Sequence, residues 1–488
     1  MVQLSKEEFL RLIPKYILDI AEQLQKNNFE AFLVGGSIRD IFLGKTPQDF
    51  DIATNAYPEE ITKIFSKSIP TGAKFGTITV VTEDENGERF DVQLTTYRSE
   101  ADYVGGRWPS KVEFSKTIEE DLSRRDFTIN AIALNIQRLD EDIPNIKELV
   151  VDPYNGLEDL EEKNIRAVRD PFERLSEDGL RAVRACRLAS QLDFKIEEKT
   201  FEAIKETNHI TKLVSVERFR EELMKILLKS PKPSVGLMLL AESGILKIFI
   251  PELLEGIDIV QPKFHDQDVF EHSLKSCDYA EDSIKLAALF HDVGKPRTRT
   301  EDESGIHFYG HDVKGAEMTE EIMKRLKFSN AEIENTVKLV RWHMFYYPSA
   351  DWRKTNNLVD GELGNKENLG WTDGAIRRLI QNVGGVDALN DLMKLRIADA
   401  TSNGKNDFNP KELDVLSERV SSVISKDMAL KITDLDINGN DLKSNFNIEG
   451  PKLGEVLKHL LDIVVEDPAL NKKLDLLRLS KKYLDENK

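Results

Sequence analysis

The sequence predicts an α+β protein, with one small mixed sheet in an amino-terminal domain followed by domains built of helices. Three observations predict it. Short β-branched runs ("AFLVGG", "GTITVVT", "RFDVQLTTY") alternate with turns such as "DENGE" only between Phe32 and about Asn135. From about Leu157 strand patterns nearly vanish, and amphipathic helices such as "DGLRAVRACRLASQL" and "VERFREELMKILLKS" take over, the latter halted by "PKP" at 231–233. The helical part then changes character, because six of the eight histidines fall between residues 261 and 400. These shifts divide the 488 residues into 1–150, 151–232, 233–408 and 409–488, with no internal repeat.

The first 25 residues carry apolar side chains at helical spacing with charges throughout, which reads as a helix rather than a signal peptide. No apolar run reaches 18 residues, so no membrane span is expected. Only Cys186 and Cys277 occur, too few for a disulfide framework or a thiolate zinc site, and a reducing cytoplasm is the expected compartment. The net charge of −19 argues against sequence-independent binding along a long polyanion, though not against a local basic groove. Residues 163–187 hold seven Lys/Arg against four acids, with Arg181, Arg184 and Arg187 recurring every three residues on a predicted helix. Such a cluster can equally be a solvated helix face. The Gly- and Asn-rich stretch 351–374 reads as a long loop or insertion, and the tail is helical with a break at "NIEGP" (447–451).

"TPQDFDIATN" (Thr46–Asn55) places Asp49 and Asp51 one residue apart. In a strand, Phe50 and Ile52 face one side and the two aspartates the other. Like charges on one face repel and are expensive to bury without a cation between them, so this face is either plain solvent or a metal site. Upstream, "LVGGSIRD" (Leu33–Asp40) reads as a strand that ends in Gly35-Gly36 and enters a helix, with Arg39 one turn in. A Gly pair of this kind serves ordinary strand–helix packing, and it also lets backbone N–H groups approach a phosphate. The Gly pair, Arg39 and paired carboxylates together suit phosphoryl transfer assisted by Mg²⁺.

With these residues in view, "FLVGGSIRDIFLGKTPQDFDIATNA" resembles the nucleotidyltransferase motif of class II tRNA CCA-adding enzymes and bacterial poly(A) polymerases. "EEDLSRRDFTINAIALN" is similar to the family's second motif, which implies that Arg124, Arg125, Asp126 and Asn130 contact triphosphate and sugar. "DPYNGLEDLEEKNIRAV" resembles the hinge between catalytic head and neck. "SEDGLRAVRACR" matches the neck motif, which implies that Glu177, Asp178, Arg181 and Arg184 serve the incoming base, and "VERFREELMKIL" fits the helix that follows. The resemblance covers about residues 30–230, with five motifs in order. It implies that Gly35, Gly36 and Arg39 cradle the nucleotide. Asp49 and Asp51 would hold Mg²⁺ and activate a tRNA 3′-hydroxyl toward CTP or ATP. The spacing of Asp178 and Arg181 puts both on one helix face, where the plain alternative is a surface salt bridge. The family's third carboxylate corresponds here to Gln93 in "FDVQLTTYR", so Asp91, on the same strand face, is the expected substitute.

"TYRSEADYVGGRWPSKVEFSKT" (Thr96–Thr117) looks like the flexible loop that family members use to add the terminal A, which favours full CCA addition over poly(A) synthesis or A addition alone. A second constellation comprises His272, His291-Asp292, His311, His343 and Asp399. Imidazoles with carboxylates suit Mn²⁺, Fe²⁺, Co²⁺, Ni²⁺ or Zn²⁺, whereas a single buried histidine is more often a core residue. The set resembles the HD phosphohydrolase domain, with His272, His291, Asp292 and Asp399 at its ligand positions and His311 and His343 at those of a second metal. The resemblance thus implies a head (1–150), a neck (151–232), an HD-type body (233–408) and a tRNA-gripping tail (409–488). Two rival readings are an HD phosphohydrolase with an RNA-binding head and a non-catalytic tRNA-binding factor.

Overall fold

A computed structural model describes residues 6–47, 49–84, 87–104, 108–139, 145–261, 267–345, 372–403, 411–425 and 431–487. The chain divides into two compact units, Met1–Pro251 and Glu252–Lys488.

The strands of the first unit are β1 (Phe32–Val34), β2 (Asp51–Thr54), β3 (Ser68–Gly72), β4 (Thr77–Glu83), β5 (Arg89–Thr96), β6 (Arg98–Val104), β7 (Trp108–Phe114), β8 (Ala133–Asn135) and β9 (Val150–Val151). Seven of them form a mixed sheet in the order β3-β4-β5-β2-β1-β8-β9. Only β2 and β5 pair in parallel, and the crossover that this requires is supplied by the helix Pro58–Ile64 and the β3–β4 hairpin. The registers place Val34 opposite Asp51 and Asp51 opposite Gln93. Phe50 and Ile52 are buried while Asp49 and Asp51 are exposed, so the alternation in this stretch sorts apolar from charged residues as expected. Behind the sheet, Phe32, Val34, Ala53, Tyr97, Ile118, Leu122 and Val168 form one core.

Three expectations for this unit change. The amino-terminal helix is two helices, Lys6–Arg11 and Lys15–Lys26, because Pro14 has no N–H to donate and is accommodated only where a helix begins. The segment expected as a flexible loop is a hairpin of β6 on β7, with Arg98 opposite Phe114 and Val104 opposite Trp108. β-Branched and aromatic residues flank a Gly pair there, a hairpin signal that the sequence contained. Its turn, 105–107, lies outside the described residues.

The third change concerns the segment read as an all-helical neck. It includes a short parallel pairing of Asn164–Ile165 with Lys195–Ile196. Its helices Pro171–Glu177 and Leu180–Leu192 are separate. Asp178 is extended (φ −141°, ψ 111°), and Gly179 packs so closely that a Cβ would lie 2.6 Å from the carbonyl oxygen of Ile210. Asp178 and Arg181 therefore do not share one helix. The helix Leu180–Leu192 packs on Val216–Lys229 and on Pro233–Glu242. Phe219 and Phe249 stack with centroids 3.9 Å apart, so residues 233–251, read from the sequence as the start of the HD-type body, pack within the first unit.

A buried carboxylate ties the turn of the second motif to this segment. Asp159 accepts from Thr128 Oγ1 at 2.5 Å, Asn164 Nδ2 at 3.1 Å and Arg166 Nε and Nη2 at 2.9 and 2.6 Å.

The second unit contains the helices Val269–Tyr279, Lys285–Phe290, His311–Arg325, Asn330–Trp342, Asp373–Val383 and Val386–Ser402. A small hairpin, Thr300–Asp302 on Gly305–His307, interrupts the all-helical body that the sequence predicts. Most of the predicted loop 351–374 lies outside the described residues, but Asp373 and Gly374 already belong to a helix capped by Thr372. The tail has its own core around Leu442, Val456, Leu460, Val464 and Leu476, broken as expected at the Gly450-Pro451 turn. Arg377 docks it by donating to the Val465 carbonyl at 2.9 Å.

Replacing Asp159 with Ala would strand Thr128, Asn164 and Arg166 without their acceptor. The expected cost is about 2–3 kcal/mol of stability, read as a lower urea midpoint in chemical denaturation.

Candidate functional site

A cavity of about 690 Å³ opens over the carboxylate face of β2 and β5. Its lining includes Gly35, Gly36, Arg39, Asp51, Gln93, Arg124, Arg125, Asp126, Asn130, Asp178, Arg181 and Arg184, so most of the residues singled out in the first 230 positions share one wall. Gly35 adopts φ +74°, and a Cβ there would lie 3.1 Å from Arg125 Nη1 and 3.9 Å from Asp51 Oδ2. The glycine is thus needed both for its backbone angle and for the space it leaves beside an aspartate and a guanidinium.

Neither Asp49 nor Asp51 makes a side-chain hydrogen bond or ion pair among the described residues. Crowding by surrounding protein raises the pKa of Asp51. Arg125 opposes that shift, and the negative charge of Asp49 adds to it. Two hard oxygen donors that repel one another and form no direct ion pair among the described residues fit a divalent ion such as Mg²⁺. Asp49 itself does not line the cavity, although its charge reaches Asp51. Asp91 lies outside. The parallel register brings Gln93, not Asp91, beside Asp51, and the Asp91 side chain is 53% exposed with its carboxylate 3.2 Å from Arg89 Nε. The expected substitution of Asp91 for the third carboxylate is corrected accordingly.

Most arginines of the cavity are held by an acid, while Arg98 donates to the Phe75 carbonyl at 2.6 Å. Asp121, whose side chain is fully buried, accepts from Arg124 at 2.7 Å and Arg125 at 3.1 Å, and these guanidinium groups lower its pKa against the effect of burial. Asp126 lies 2.6 Å from Arg184 and accepts from Asn130 Nδ2 at 3.1 Å and from the Phe127 N–H at 2.9 Å. Burial disfavours its charge, and Arg184 first, then Asn130, hold its pKa down. Arg39 donates to Asn130 Oδ1 at 2.9 Å and to Asp40 at 2.8 Å. Glu177 accepts from Arg174 at 2.6 Å and from Arg181. Arg174 and Arg181 also donate to the Arg124 carbonyl at 3.2 and 3.1 Å, which ties the neck motif to the second motif. Asp178 pairs with Arg218 at 2.8 Å.

Sequence reasoning missed Asp121, Arg98, Arg174, Arg218 and Glu222 as parts of the site. Asp121 could have been found, because it precedes Arg124 and Arg125 by three and four residues. The Arg187–Glu222 pair, at 2.5 Å, joins positions 35 residues apart and left no local signal. Arg181 and Arg187, which alone could have been a solvated face, are largely buried in the cavity wall.

In the second unit the histidine set converges. His272, His291 and Asp292 form one group of potential ligands, and Asp292, His311 and His343 form another. His291, His311 and His343 donate through Nδ1 to the carbonyls of Ala288, Phe308 and Val340 at 2.8, 2.7 and 2.6 Å. Carbonyls only accept, so each Nδ1 carries a proton and each Nε2 points inward. His272 Nδ1 lies 3.1 Å from the Ser402 hydroxyl, which itself donates to the Asp399 carbonyl. Two pairs of Nε2 atoms, His272 with His291 and His311 with His343, stand 3.2 Å apart. At that distance the two nitrogens of a pair can share either one proton or a bound cation. Asp292 serves both groups, with Oδ2 3.3 Å from His291 and Oδ1 3.6 Å from His311, and Asp399 Oδ1 is 3.1 Å from His272. Burial lowers the pKa of His272, while Asp292 and Asp399 overcome burial and push His291 up to about 10. Lys295, bonded to Asp292 at 2.5 Å and to Gln261 at 2.6 Å, and Ser402 complete the site without having been singled out. The donor set fits a borderline transition-metal ion.

Comparison with known proteins finds relatives for both units. Residues 31–166 match the poly A polymerase head domain, 193–256 the probable RNA and SrmB-binding site of polymerase A, and 268–404 the HD domain. A CCA-adding enzyme from Lactococcus lactis subsp. cremoris (strain SK11) is 31% identical over 483 residues, 98% of each chain. One from Pediococcus pentosaceus is 48% identical over 218 residues, covering 45% of this chain and 51% of its own. The crystal structure of the Bacillus stearothermophilus CCA-adding enzyme in complex with CTP shares the fold, with a TM-score of 0.66 at 24% identity over 97% of this chain and 98% of the other. Full-length similarity at this level establishes that the protein is a nucleotidyltransferase that belongs to the family of CCA-adding enzymes.

Proposed function

We propose that this protein completes and repairs the 3′-terminal CCA of tRNA from CTP and ATP, without a nucleic-acid template. The observation that carries the reading is the single cavity in which the unpaired carboxylate of Asp51 faces the arginine-rich wall formed by the second motif and the neck.

In this reading Gly35 and Gly36 let the triphosphate approach the backbone, and Arg39, Arg124 and Arg125 neutralise it. Asn130 and Asp126 meet the sugar. Asp178 accepts from the exocyclic amine of the incoming base and Arg181 donates to the adjacent ring nitrogen. Cytosine and adenine both offer that amine beside an acceptor nitrogen, whereas uracil and guanine offer a carbonyl beside an N–H. One carboxylate and one guanidinium therefore accept C and A and reject U and G. Asp49 and Asp51 would hold Mg²⁺, which neutralises them and polarises the phosphate under attack. Binding of a tRNA end by the second unit's tail would rest on shape and phosphates.

The convergent imidazoles of the second unit favour an additional activity, metal-dependent hydrolysis of phosphate esters. His272, His291, Asp292 and Asp399 would hold one Mn²⁺, Ni²⁺, Co²⁺, Fe²⁺ or Zn²⁺ ion, and His311 and His343 with Asp292 a second. No helix among the described residues is long and apolar enough to cross a membrane, and both cysteines are buried and unpaired, which supports a reducing cytoplasm as the compartment.

A tRNA transcript lacking its last three nucleotides should gain two residues with CTP and a third when ATP is added, read at single-nucleotide resolution. A ladder of As with ATP alone would indicate poly(A) synthesis, and A addition only to an end already carrying CC would indicate an A-adding enzyme. Asp51→Ala should lower the rate by about 10³-fold. Asp91→Ala should change it by less than about tenfold, since its carboxylate faces solvent beside Arg89. Asp292→Asn should strip transition metal from the purified protein, measured by mass spectrometry, and leave tRNA extension within about twofold.

A further inference from the structure

Asp178 and Arg181 stand three residues apart, a spacing at which opposite charges commonly neutralise one another. A pair satisfied in that way would have no free edge for a base. The structure pairs each with another partner. Arg181 donates to Glu177 and to the carbonyls of Arg174 and Arg124, at 2.8 and 3.1 Å. Asp178 is gripped at both oxygens by Arg218, with Nη1 3.3 Å from Oδ1 and Nη2 2.8 Å from Oδ2.

The backbone of Asp178 is fixed independently of that grip. Its Oδ1 accepts the Leu180 N–H at 3.0 Å, Gly179 is wedged against Ile210, and the Thr211 hydroxyl donates to the Gly179 carbonyl at 3.3 Å. The Leu180 N–H holds one carboxylate oxygen, and Arg218, from the neighbouring helix, holds both and so sets the plane of the group. Arg218 occupies the first turn of the helix Val216–Lys229, where a cation is disfavoured by the helix dipole. Its charge at that end is offset by Asp178, which is ion-paired to it with both partners about one-fifth exposed.

We propose that Arg218 is a positioning residue for base selection. Its planar fork holds Asp178 away from Arg181, with its remaining lone pairs aimed at the cavity, so that the pair meets an amine and a ring nitrogen rather than each other. The inference rests on the assignment of Asp178 and Arg181 as the base readers.

The experiment measures kcat and KM for CTP, ATP, UTP and GTP on the truncated tRNA with full-length Arg218→Gln, Arg218→Lys and Asp178→Ala proteins, with melting curves to verify folding. Arg218→Gln is expected to lower the CTP-to-UTP ratio of kcat/KM roughly 10- to 100-fold, chiefly by loss of CTP use, as removal of one charged two-point contact implies. Arg218→Lys, which keeps the charge but cannot span both oxygens, is expected to recover only part of that ratio and serves as the test if the Gln variant does not fold. An Arg218→Gln enzyme that slows equally on all four nucleotides, or keeps the wild-type ratio while Asp178→Ala loses it, overturns the proposal. If Asp178→Ala also keeps the ratio, the base-reading assignment itself fails and the proposal falls with it.

Discussion

The first unit is organised by the need to gather many guanidinium groups around one cavity in a chain whose net charge is −19. Guanidinium groups crowded together repel, and each costs several kcal/mol to bury unless an acid meets it. Buried carboxylates meet that need from different parts of the chain. Asp121 holds Arg124 and Arg125, Asp126 holds Arg184, Glu177 holds Arg174 and Arg181, and Glu222 holds Arg187. The same pairs that make the wall stable also fix the direction of its donors before any ligand arrives, which lowers the cost of ordering them on binding. Asp51 stands outside this scheme. It faces the positive wall without an ion pair among the described residues, and that imbalance supports the proposed place of a divalent ion and the reacting phosphate.

The second unit meets the opposite problem with the same economy of means. Its histidines are brought together around shared carboxylates, and each ring is oriented by its far nitrogen. Three backbone carbonyls and one serine hydroxyl take up Nδ1, so Nε2 is left as the inward ligand in all four. Each of the three carbonyls lies three positions before its histidine, supplied by a helix for His291 and His343 and by the turn that enters the helix His311–Arg325 for His311.

The turn at Asp178 and Gly179 shows how a break in regular structure separates two charges that a continuous helix would pair. A continuous helix would have placed Asp178 over Arg181 and closed the pair. The break, enforced by the packing of Gly179 on the Ile210 backbone, turns Asp178 toward the helix Val216–Lys229 and leaves Arg181 to Glu177.

Local chemistry was legible in the sequence. The alternation in "DFDI" determined which face Asp49 and Asp51 occupy, the Gly pair marked a turn that tolerates φ +74°, and His291-Asp292 in an apolar run marked a donor cluster. These features depend only on period, backbone freedom and side-chain type, all of which are properties of short segments. The tertiary structure decided what depends on register and on distant partners. Parallel pairing of β2 with β5 chose Gln93 over Asp91, because one two-residue step along a strand moves a side chain about 7 Å. Likewise Arg218 comes to Asp178 from 40 residues away and Asp399 to His272 from 127. Partners of that kind are selected by packing of whole helices, and no short stretch of sequence contains them.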